Sequence, residues 1–211
     1  VAAGIGGCGG KDAKERAAAR PSDVSVIYSS DLLGKIRSCG CAVKDMGGLG
    51  RWVTYLEEAR ASRAEIVVVD AGDVFGAELS FSKDEAALAF EAMNLAGLDA
   101  FAPGETDFVF GLPFLQQLAS GSNFDVIAAN VVDETGQPVF GKKYKVRTLA
   151  GGLRIGIVGV LDDAIRFPSY IDASKFKVLP AEETLRKILP ELKQQSDFIV
   201  ILSNAGIARS A

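Results

Sequence analysis

Residues 65–76 have the sequence EIVVVDAGDVFG, in which a run of branched apolar side chains ends in an acidic, glycine-rich turn. An apolar run without alternation is typical of a strand that is covered on both faces of its sheet. Asp70 and Asp73 lie where this strand is predicted to end. Because ligands of open α/β sheets bind beyond the carboxyl ends of the strands, the turn is a candidate functional site.

Segments of the same kind recur along the chain, and helical segments lie between them. In the helical segments apolar residues recur every three or four positions. Alternating strands and helices require right-handed crossovers, so the sequence predicts a layered α/β fold with a mostly parallel sheet flanked by helices. The predicted strands are residues 24–29, 65–70, 124–130, 153–160 and 197–203, and the predicted helices are residues 48–64, 83–97, 112–120 and 181–195.

The domain organisation follows from the length and the two ends of the chain. A length of 211 residues fits one core, which we assign to residues 22–211. Residues 139–148 are expected to add an antiparallel ribbon to it. Because no element is predicted after residue 203, we expect the fold to be cut at its C-terminal end.

The composition excludes several kinds of chemistry. The chain has no histidine, which rules out an imidazole base, a Ser-His-Asp triad and imidazole metal ligands within these residues. A formal net charge of −4 argues against nucleic acid as a partner. The one basic cluster, at residues 142–147, is interpreted as the solvated face of a strand.

The first residues resemble a leader segment. Ile5-Gly6-Gly7-Cys8 has the order of a bacterial lipoprotein cleavage site, so Cys8 is predicted to carry lipid. Residues 1–21 would then be a signal-peptide remnant and linker, and the protein would be held in the cell envelope or periplasm, touching the membrane only through this anchor. A passive glycine-rich leader is the alternative. A G-x-G-x-x-G match at Gly4 raises a third reading, a dinucleotide-binding loop, but no strand precedes it.

Oxygen-bearing side chains follow several of the predicted strands. Strands of a parallel sheet end at one edge, so these side chains should converge, as the ligands of a hard divalent cation do. Taken singly, each could instead cap a helix or close an Asx turn. The residues concerned are Asp31, Asp73, Glu105, Asp107, Asn130 and Asn204.

The order of these landmarks resembles a known family. Its strands end in Asn-Asp-x-His-Gly, Asp-x-Gly-Asp-x-Phe-x-Gly, Gly-Asn-His-Glu-Phe-Asp-x-Gly, Ala-Asn and His, and Gly-Gly begins its first helix. The family is that of the calcineurin-like metallophosphoesterases, specifically the N-terminal domain of 5′-nucleotidases and UDP-sugar hydrolases. The resemblance implies a two-metal phosphoester hydrolase acting on nucleotides. The counterparts here are residues 31–34, 47–51, 70–76, 104–111 and 129–130, and Asn204.

The departures from the family are as informative. Leu33, Thr106 and Asn204 replace the family's histidines, and Glu105 replaces its asparagine. Hydrolysis is therefore predicted to be weak or absent, because Thr106 cannot protonate a leaving group. One divalent cation (Mn²⁺, Mg²⁺ or Ca²⁺) held by Asp31, Asp73, Glu105 and Asn204 is one expectation, and no cation is the other. Without a cation, at least one carboxyl of the cleft should have a raised pKa. The candidate substrate-binding residues are Thr106, Asp107 and Asn130.

A cysteine pair suggests a different activity. Cys39-Gly40-Cys41 lies in the loop that borders the expected cleft, and Lys35, Arg37 and Lys44 nearby should favour the thiolate. A disulfide across one residue closes a small strained ring, which suits reversible redox chemistry. A passive disulfide and half of a soft-metal site are the alternatives. The loop also resembles that of a branch of the family with a Cys-x-Cys or selenocysteine element. A nucleotide- or sugar-phosphate-binding pseudoenzyme is a further alternative function.

Overall fold

The computed structural model describes residues 24–63, 65–76, 81–169 and 171–204. The chain order of strands and helices agrees with the predicted α/β alternation, and the bounds of most long elements agree within a few residues. The strands are β1 (Val24–Ser29), β2 (Glu65–Asp70), β3 (Ala100–Phe101), β4 (Asp125–Val126), β5 (Val131–Val132), β6 (Lys145–Thr148), β7 (Arg154–Leu161), β8 (Lys177–Val178) and β9 (Phe198–Asn204). The α-helices are α1 (Leu49–Ser62), α2 (Lys83–Leu95), α3 (Leu112–Ser120) and α4 (Ala181–Gln195), and Thr106–Phe108 and Ala173–Lys175 are 3₁₀ turns.

The long strands are divided between two sheets. The first sheet has the order β1-β2-β3-β4, and all its neighbours are parallel. The second has the order β6-β7-β9, in which β9 is parallel to β7 and β6 is antiparallel to it. β5 and β8 form a separate antiparallel pair. The predicted mostly parallel, layered α/β class is confirmed, with the strands in two layers.

The layers are held together by apolar side chains of alternating direction. Val67 and Val69 of β2 pack with Ile155 and Ile157 of β7, so the two sheets bury one face against each other. The opposite face of the first sheet is covered by α1, α2 and α3, and α4 covers the second sheet through Leu192. The central strands β2 and β7 are thus covered on both faces, which explains why they lack polar alternation.

Two sequence predictions need correction. The segment predicted as a strand at residues 124–130 is regular only in β4, because it crosses between the sheets. The Ile127 N–H donates to the Phe101 carbonyl at 2.8 Å, and the Ala129 N–H donates to the Gly159 carbonyl at 2.8 Å. In the expected ribbon at residues 139–148, only β6 is a strand.

The basic cluster at residues 142–147 was predicted to be a solvated strand face, but several of its side chains form ion pairs. Lys142 and Lys145 form salt bridges with Asp125 at 2.5 and 3.3 Å, and Arg147 pairs with the buried Asp99. Asp99 also accepts a hydrogen bond from the Val68 N–H at 2.8 Å. The cluster therefore ties β6 of the second sheet to the strands of the first.

The start of α2 follows its sequence signal closely. The Ser82 hydroxyl accepts from the Glu85 N–H at 3.2 Å, and the Glu85 carboxylate accepts from the Ser82 N–H at 2.9 Å. This reciprocal pair is the capping box that the sequence SKDE indicates.

The leader predictions fall outside the described residues. Cys8, the linker at residues 1–21 and the glycine match at Gly4 all lie there. Among the residues that are described, no helix combines the length and the apolar character needed to cross a membrane.

Candidate functional site

The turn after β2 is held beside the turn after β1 by backbone hydrogen bonds. The Asp31 N–H donates to the Gly72 carbonyl at 2.9 Å, and the Leu33 N–H donates to the Asp73 carbonyl at 2.9 Å. Gly72 has φ of 90°, and a Cβ atom there would lie 2.2 Å from the Gly104 nitrogen. Only glycine lets the third loop, at residues 104–111, approach so closely. Three of the expected loops therefore meet at one edge.

The buried carboxylate of Asp107 joins these loops through hydrogen bonds to their backbone. Its Oδ2 accepts from the N–H groups of Asp73 and Gly104, both at 2.8 Å. Its Oδ1 accepts from the N–H groups of Val74 at 2.9 Å and Phe75 at 3.1 Å. Burial raises the pKa of Asp107 to about 7, against these hydrogen bonds, which lower it.

Asp107 and Asn130 were predicted to bind substrate, and the structure gives both another role. Each is completely buried. The Asn130 amide donates to the Leu161 carbonyl at 2.7 Å and to the Leu179 carbonyl at 2.9 Å, and it accepts from the Leu161 N–H. With their polar atoms hydrogen-bonded inside the protein, these two side chains position backbone in this structure.

The carboxylate of Asp73 lies at the centre of the polar edge. Its Oδ1 accepts from the Thr106 N–H at 2.8 Å and from the Thr106 hydroxyl at 3.1 Å. Its Oδ2 accepts from the Asn204 amide at 2.9 Å. A Cβ on Gly104 would lie 2.5 Å from Oδ1, so the backbone closes the remaining side. We call Asp73, Thr106, Asn204 and Asp107 the Asp73 floor.

The other two predicted cation ligands are more exposed than the floor. Asp31 and Glu105 are exposed, whereas Asp73 is half-buried. Across residues 24–63, 65–76, 81–169 and 171–204, no three His, Cys, Asp or Glu side chains are grouped so that they could hold a metal ion. The donors present therefore do not fit the two-metal centre that the family implies.

Asp70, which the sequence analysis placed in the candidate turn without giving it a role, is part of the site. It is buried at the end of β2, where it accepts from the Ser29 hydroxyl at 2.6 Å and from the Gly72 N–H at 2.8 Å. Burial raises the pKa of Asp70 to about 7, and the charges of Asp31 and Asp73 add to the rise. The raised pKa values thus belong to Asp70 and Asp107, with burial as their main cause, and not to the set of Asp31, Asp73 and Glu105 whose mutual repulsion was expected to raise one. The sequence signal for the burial of Asp70 was its position as the last residue of an apolar strand.

The cysteine pair lies in an exposed loop, residues 38–46, which we call the thiol loop. Both thiols are free and solvent-exposed. The Cys39 N–H donates to the Met46 carbonyl at 2.9 Å, and the Met46 N–H donates to the Cys39 sulfur at 3.3 Å. Asp45 accepts from the Gly40 N–H at 2.9 Å, which closes the loop.

The two thiols differ in acidity. The hydrogen bond with the Cys41 thiol lowers the pKa of Cys39, and the Met46 N–H lowers it further, whereas the charge of Asp45 raises it. The pKa of Cys41 is raised because its thiol bonds to Cys39. The pKa of Cys39 is lowered as expected, but the main causes are these hydrogen bonds and not the basic residues.

One open cavity connects the thiol loop with the first turn. Its volume is about 650 Å³. Asp31 and Cys39 both line it, as do Lys35, Arg37 and the start of α1 at Gly47 and Gly48. The predicted neighbourhood of the cysteine pair and the polar cleft is therefore present, although Asp73 is not among the lining residues.

Comparison with known proteins gives the same ancestry from sequence and from structure. No family model matches the chain. The uncharacterized metallophosphoesterase YunD of Bacillus subtilis is 30% identical over 167 residues, which cover 74% of this chain and 34% of YunD. The 5′-nucleotidase of Bos taurus is 26% identical over 156 residues, 67% of this chain and 27% of that protein.

Solved structures agree. The 5′-nucleotidase precursor of Thermus thermophilus superposes with a TM-score of 0.75 at 25% identity, covering 88% of this chain and 38% of its own. The calcineurin-like phosphoesterase YfkN of Bacillus subtilis has the same fold, with a TM-score of 0.68 at 20% identity over 88% of this chain and 63% of its own.

The fold and these relatives define a calcineurin-like metallophosphoesterase domain. More narrowly, the chain corresponds to the N-terminal metallophosphoesterase domain of the 5′-nucleotidases, which confirms the resemblance seen in its motifs. The chain spans only 21% to 28% of the length of the first curated relatives. The similarity therefore establishes which domain family the chain belongs to. It does not establish that the chain has the activity of the full-length relatives.

Proposed function

We propose that this 5′-nucleotidase-like domain has lost phosphoester hydrolysis. The observation that carries the proposal is the hydrogen bonding of Asp73, whose two carboxylate oxygens accept from Thr106 and Asn204. In the family pattern these two positions are histidines. A two-metal site needs a carboxylate whose lone pairs point at metal ions. Here those lone pairs point at an amide, a hydroxyl and a backbone N–H.

The same replacements remove the groups that would assist the leaving alkoxide. Thr106 has a neutral hydroxyl that already donates to Asp73, so it has no proton to give at neutral pH. Leu33 offers no polar atom. We infer that the domain binds no divalent cation tightly, because the described residues offer no group of three acidic, cysteine or histidine side chains that could surround one.

An assay with added Mn²⁺ tests this proposal. Purified protein is incubated with Mn²⁺, and turnover of 5′-AMP and p-nitrophenyl phosphate is compared with that of an Asp73→Ala variant. We expect both proteins to show the same background rate, and elemental analysis after dialysis to find no bound metal. A Mn²⁺-dependent rate that disappears in Asp73→Ala would overturn the proposal.

A second candidate function is thiol–disulfide exchange at the thiol loop. The observation in its favour is that Cys39 is exposed, borders the cavity and has its sulfur hydrogen-bonded by the Met46 N–H. The Cys39 thiolate would attack a disulfide, forming a mixed disulfide and releasing one thiolate. Cys41, after losing its proton to solvent, would attack the Cys39 sulfur and release the second thiolate. Two electrons pass to the substrate, and Cys39 and Cys41 are left as a disulfide.

A redox titration followed by mass spectrometry tests this candidate. We expect the wild-type protein to change by the mass of two hydrogens as it passes between dithiol and disulfide. The Cys41→Ser variant should instead stop at a mixed disulfide on Cys39. A wild-type protein that keeps both thiols reduced in every buffer would remove this candidate.

Three narrower proposals concern ligand and location. A nucleotide or sugar phosphate bound without hydrolysis is the alternative ligand, and equilibrium dialysis with labelled AMP measures its binding.

We propose that Cys8 carries lipid, that residues 1–21 link this anchor to the domain, and that the protein is held in the bacterial envelope. Intact-mass measurement decides this, since an unmodified Cys8 excludes the anchor. We also propose kinship with the Cys-x-Cys branch of the family.

A further inference from the structure

A second, smaller cavity lies on the helix side of the first sheet. Its volume is about 200 Å³, and we call it the Trp52 cavity, after the single tryptophan of the chain, which lines it. It adjoins the larger cavity, because the two share the lining residues Ser30, Leu32, Gly47 and Gly48. The lining of the larger cavity has two acidic and two basic residues, so it has no net charge that would exclude an ion of either sign.

The polar end of the Trp52 cavity is formed by Asp70 and Ser29, which both line it. They are register partners in the parallel pair of β1 and β2, and the Ser29 hydroxyl donates to the Asp70 carboxylate at 2.6 Å. Val68, two residues before Asp70, packs in the apolar cluster that contains α1 and α2. Because the side chains of a strand alternate between its faces, the Asp70 carboxylate points toward the same two helices.

The Asp70 carboxylate is buried without a cation beside it. It forms no salt bridge with any of the described residues. Its hydrogen-bond donors, the Ser29 hydroxyl and the Gly72 N–H, are both neutral. The charges of Asp31 and Asp73 have the same sign and raise the pKa of Asp70. Since a buried carboxylate is normally paired with a cation or kept neutral, a cationic ligand would supply the partner that the protein lacks here.

The rest of the cavity suits an apolar body. Among the described residues of the lining, Asp70 is the only charged one, and Leu49, Trp52 and Met93 supply large apolar side chains. An aromatic side chain attracts organic cations through the face of its ring. A dry cavity of about 150 Å³ can hold a benzene ring, so this one has room for a single ring with a short arm.

We propose that the Trp52 cavity binds small primary ammonium compounds that have one apolar ring. The ammonium group would donate to Asp70 and to the oxygen of Ser29, and the ring would lie among the apolar side chains of the lining. The inference does not depend on the loss of hydrolysis or on thiol exchange, because no residue of the Asp73 floor and neither Cys39 nor Cys41 lines this cavity.

Titration of the wild-type protein with three ring compounds of similar size tests the proposal. Benzylamine is cationic, benzyl alcohol is neutral and benzoate is anionic. Binding is followed through the fluorescence of Trp52 at about pH 8, where the Asp70 carboxyl is mostly ionised. We expect benzylamine to saturate at one molecule per chain and to bind roughly tenfold more tightly than benzyl alcohol, because hydrogen bonds between charged groups are the stronger ones. Benzoate should not bind.

Two matched pairs of variants locate the site. Asp70→Asn should remove the preference for benzylamine, whereas Asp133→Asn removes a carboxylate outside the cavity and should keep it. Trp52→Leu should weaken the binding of benzylamine, measured by calorimetry. Tyr55→Leu changes an aromatic residue of the same helix that is not in the lining, and it should leave the affinity unchanged. Circular dichroism checks that each variant is folded.

Each outcome supports or removes the proposal. Equal affinities of the wild-type protein for benzylamine and benzyl alcohol would remove the role of Asp70. No binding of any of the three compounds would remove the site itself. A preference that survives in Asp70→Asn, or that is lost equally in Asp133→Asn, would mean that benzylamine binds elsewhere on this acidic protein. The comparison of ligands needs only the wild-type protein, so it decides the matter even if Asp70→Asn does not fold.

Discussion

The Asp73 floor gathers residues from the ends of β2, β3 and β9, and the thiol loop follows β1, yet the polar atoms of the two regions have opposite surroundings. In the floor, Asp107 is fully buried and Asp73 has hydrogen-bond donors on both oxygens. In the thiol loop, Cys39 and Cys41 are exposed and keep their thiols free. Polar groups that are satisfied inside a protein are rigid and unreactive, whereas exposed groups with few partners remain available for chemistry.

The difference is what the proposed loss of hydrolysis would produce, with the site kept as structure and without its catalytic groups. Thr106 and Asn204 compensate the Asp73 charge with hydrogen bonds where the family pattern has histidines. The loop arrangement does not depend on these two side chains alone, because Asp107 joins the Asp73 and Gly104 loops. Four sets of variants test whether stability belongs to the floor and reactivity to the thiol loop.

The largest expected effect is that of Gly104→Ala. The new Cβ would lie 2.5 Å from Asp73 Oδ1 and 2.6 Å from the Asn204 amide nitrogen, so the floor would have to open. We expect a loss of about 3 kcal/mol in the free energy of unfolding, measured by urea denaturation. Gly50→Ala is the matched control, since a Cβ there meets no atom within 4 Å in α1. It should stabilise by about 0.5 to 1 kcal/mol. Equal effects would show that the floor is not tightly packed.

The next effect concerns the donors to Asp73. Asn204→Leu removes the amide that lies 2.9 Å from Oδ2 and should cost about 2 kcal/mol, because the charge loses a donor. Thr106→Val keeps the backbone N–H bond and should cost about 1 kcal/mol. Thermal unfolding with Mn²⁺ and with a chelator is the accompanying measurement. A midpoint that rises with Mn²⁺ in the wild-type protein would mean that a cation competes with these donors.

The pH dependence of the free energy of unfolding should respond to Asp70. Its folded pKa of about 7 lies above that of an unfolded aspartate, so the folded state binds an extra proton between about pH 4 and 7. Stability should therefore fall as pH rises through this range. Asp70→Asn should reduce that fall by up to about 1.4 kcal/mol per pH unit. Asp133→Asn is the control, because hydrogen bonds lower the pKa of Asp133 and its titration lies below the range. Identical pH slopes in the wild-type and Asp70→Asn proteins would contradict the prediction.

The smallest effect on stability is expected in the thiol loop. Cys41→Ala should change the free energy of unfolding by less than about 0.5 kcal/mol, because the side chain is exposed. It should nevertheless raise the pKa of Cys39 by removing the thiol that bonds to it. Alkylation of Cys39 would then slow at neutral pH, and its pH profile would shift upward. A stability loss comparable to that of Asn204→Leu would contradict the contrast between the two regions.

The sequence predicted the elements better than the contacts between them. The capping box at Ser82 and the bounds of α4 followed from local residues, because caps and helical periodicity act within a few positions. The segment at residues 124–130 was mispredicted as one strand. Its apolar character reports burial, and burial is the same whether the chain stays in one sheet or crosses between two.

By itself, the sequence determined the α/β order, the meeting of the Asp73, Thr106 and Asn204 positions at one edge, and the lack of histidine among these 211 residues. These follow from periodicity, from parallel strands and from residue chemistry. Only the tertiary structure decided that Thr106 and Asn204 donate to Asp73, and that Lys35 and Arg37 share a cavity with Cys39. The physical reason is that the direction of a hydrogen bond and the pairing of a charge depend on loops far apart in the chain, to within a few tenths of an ångström.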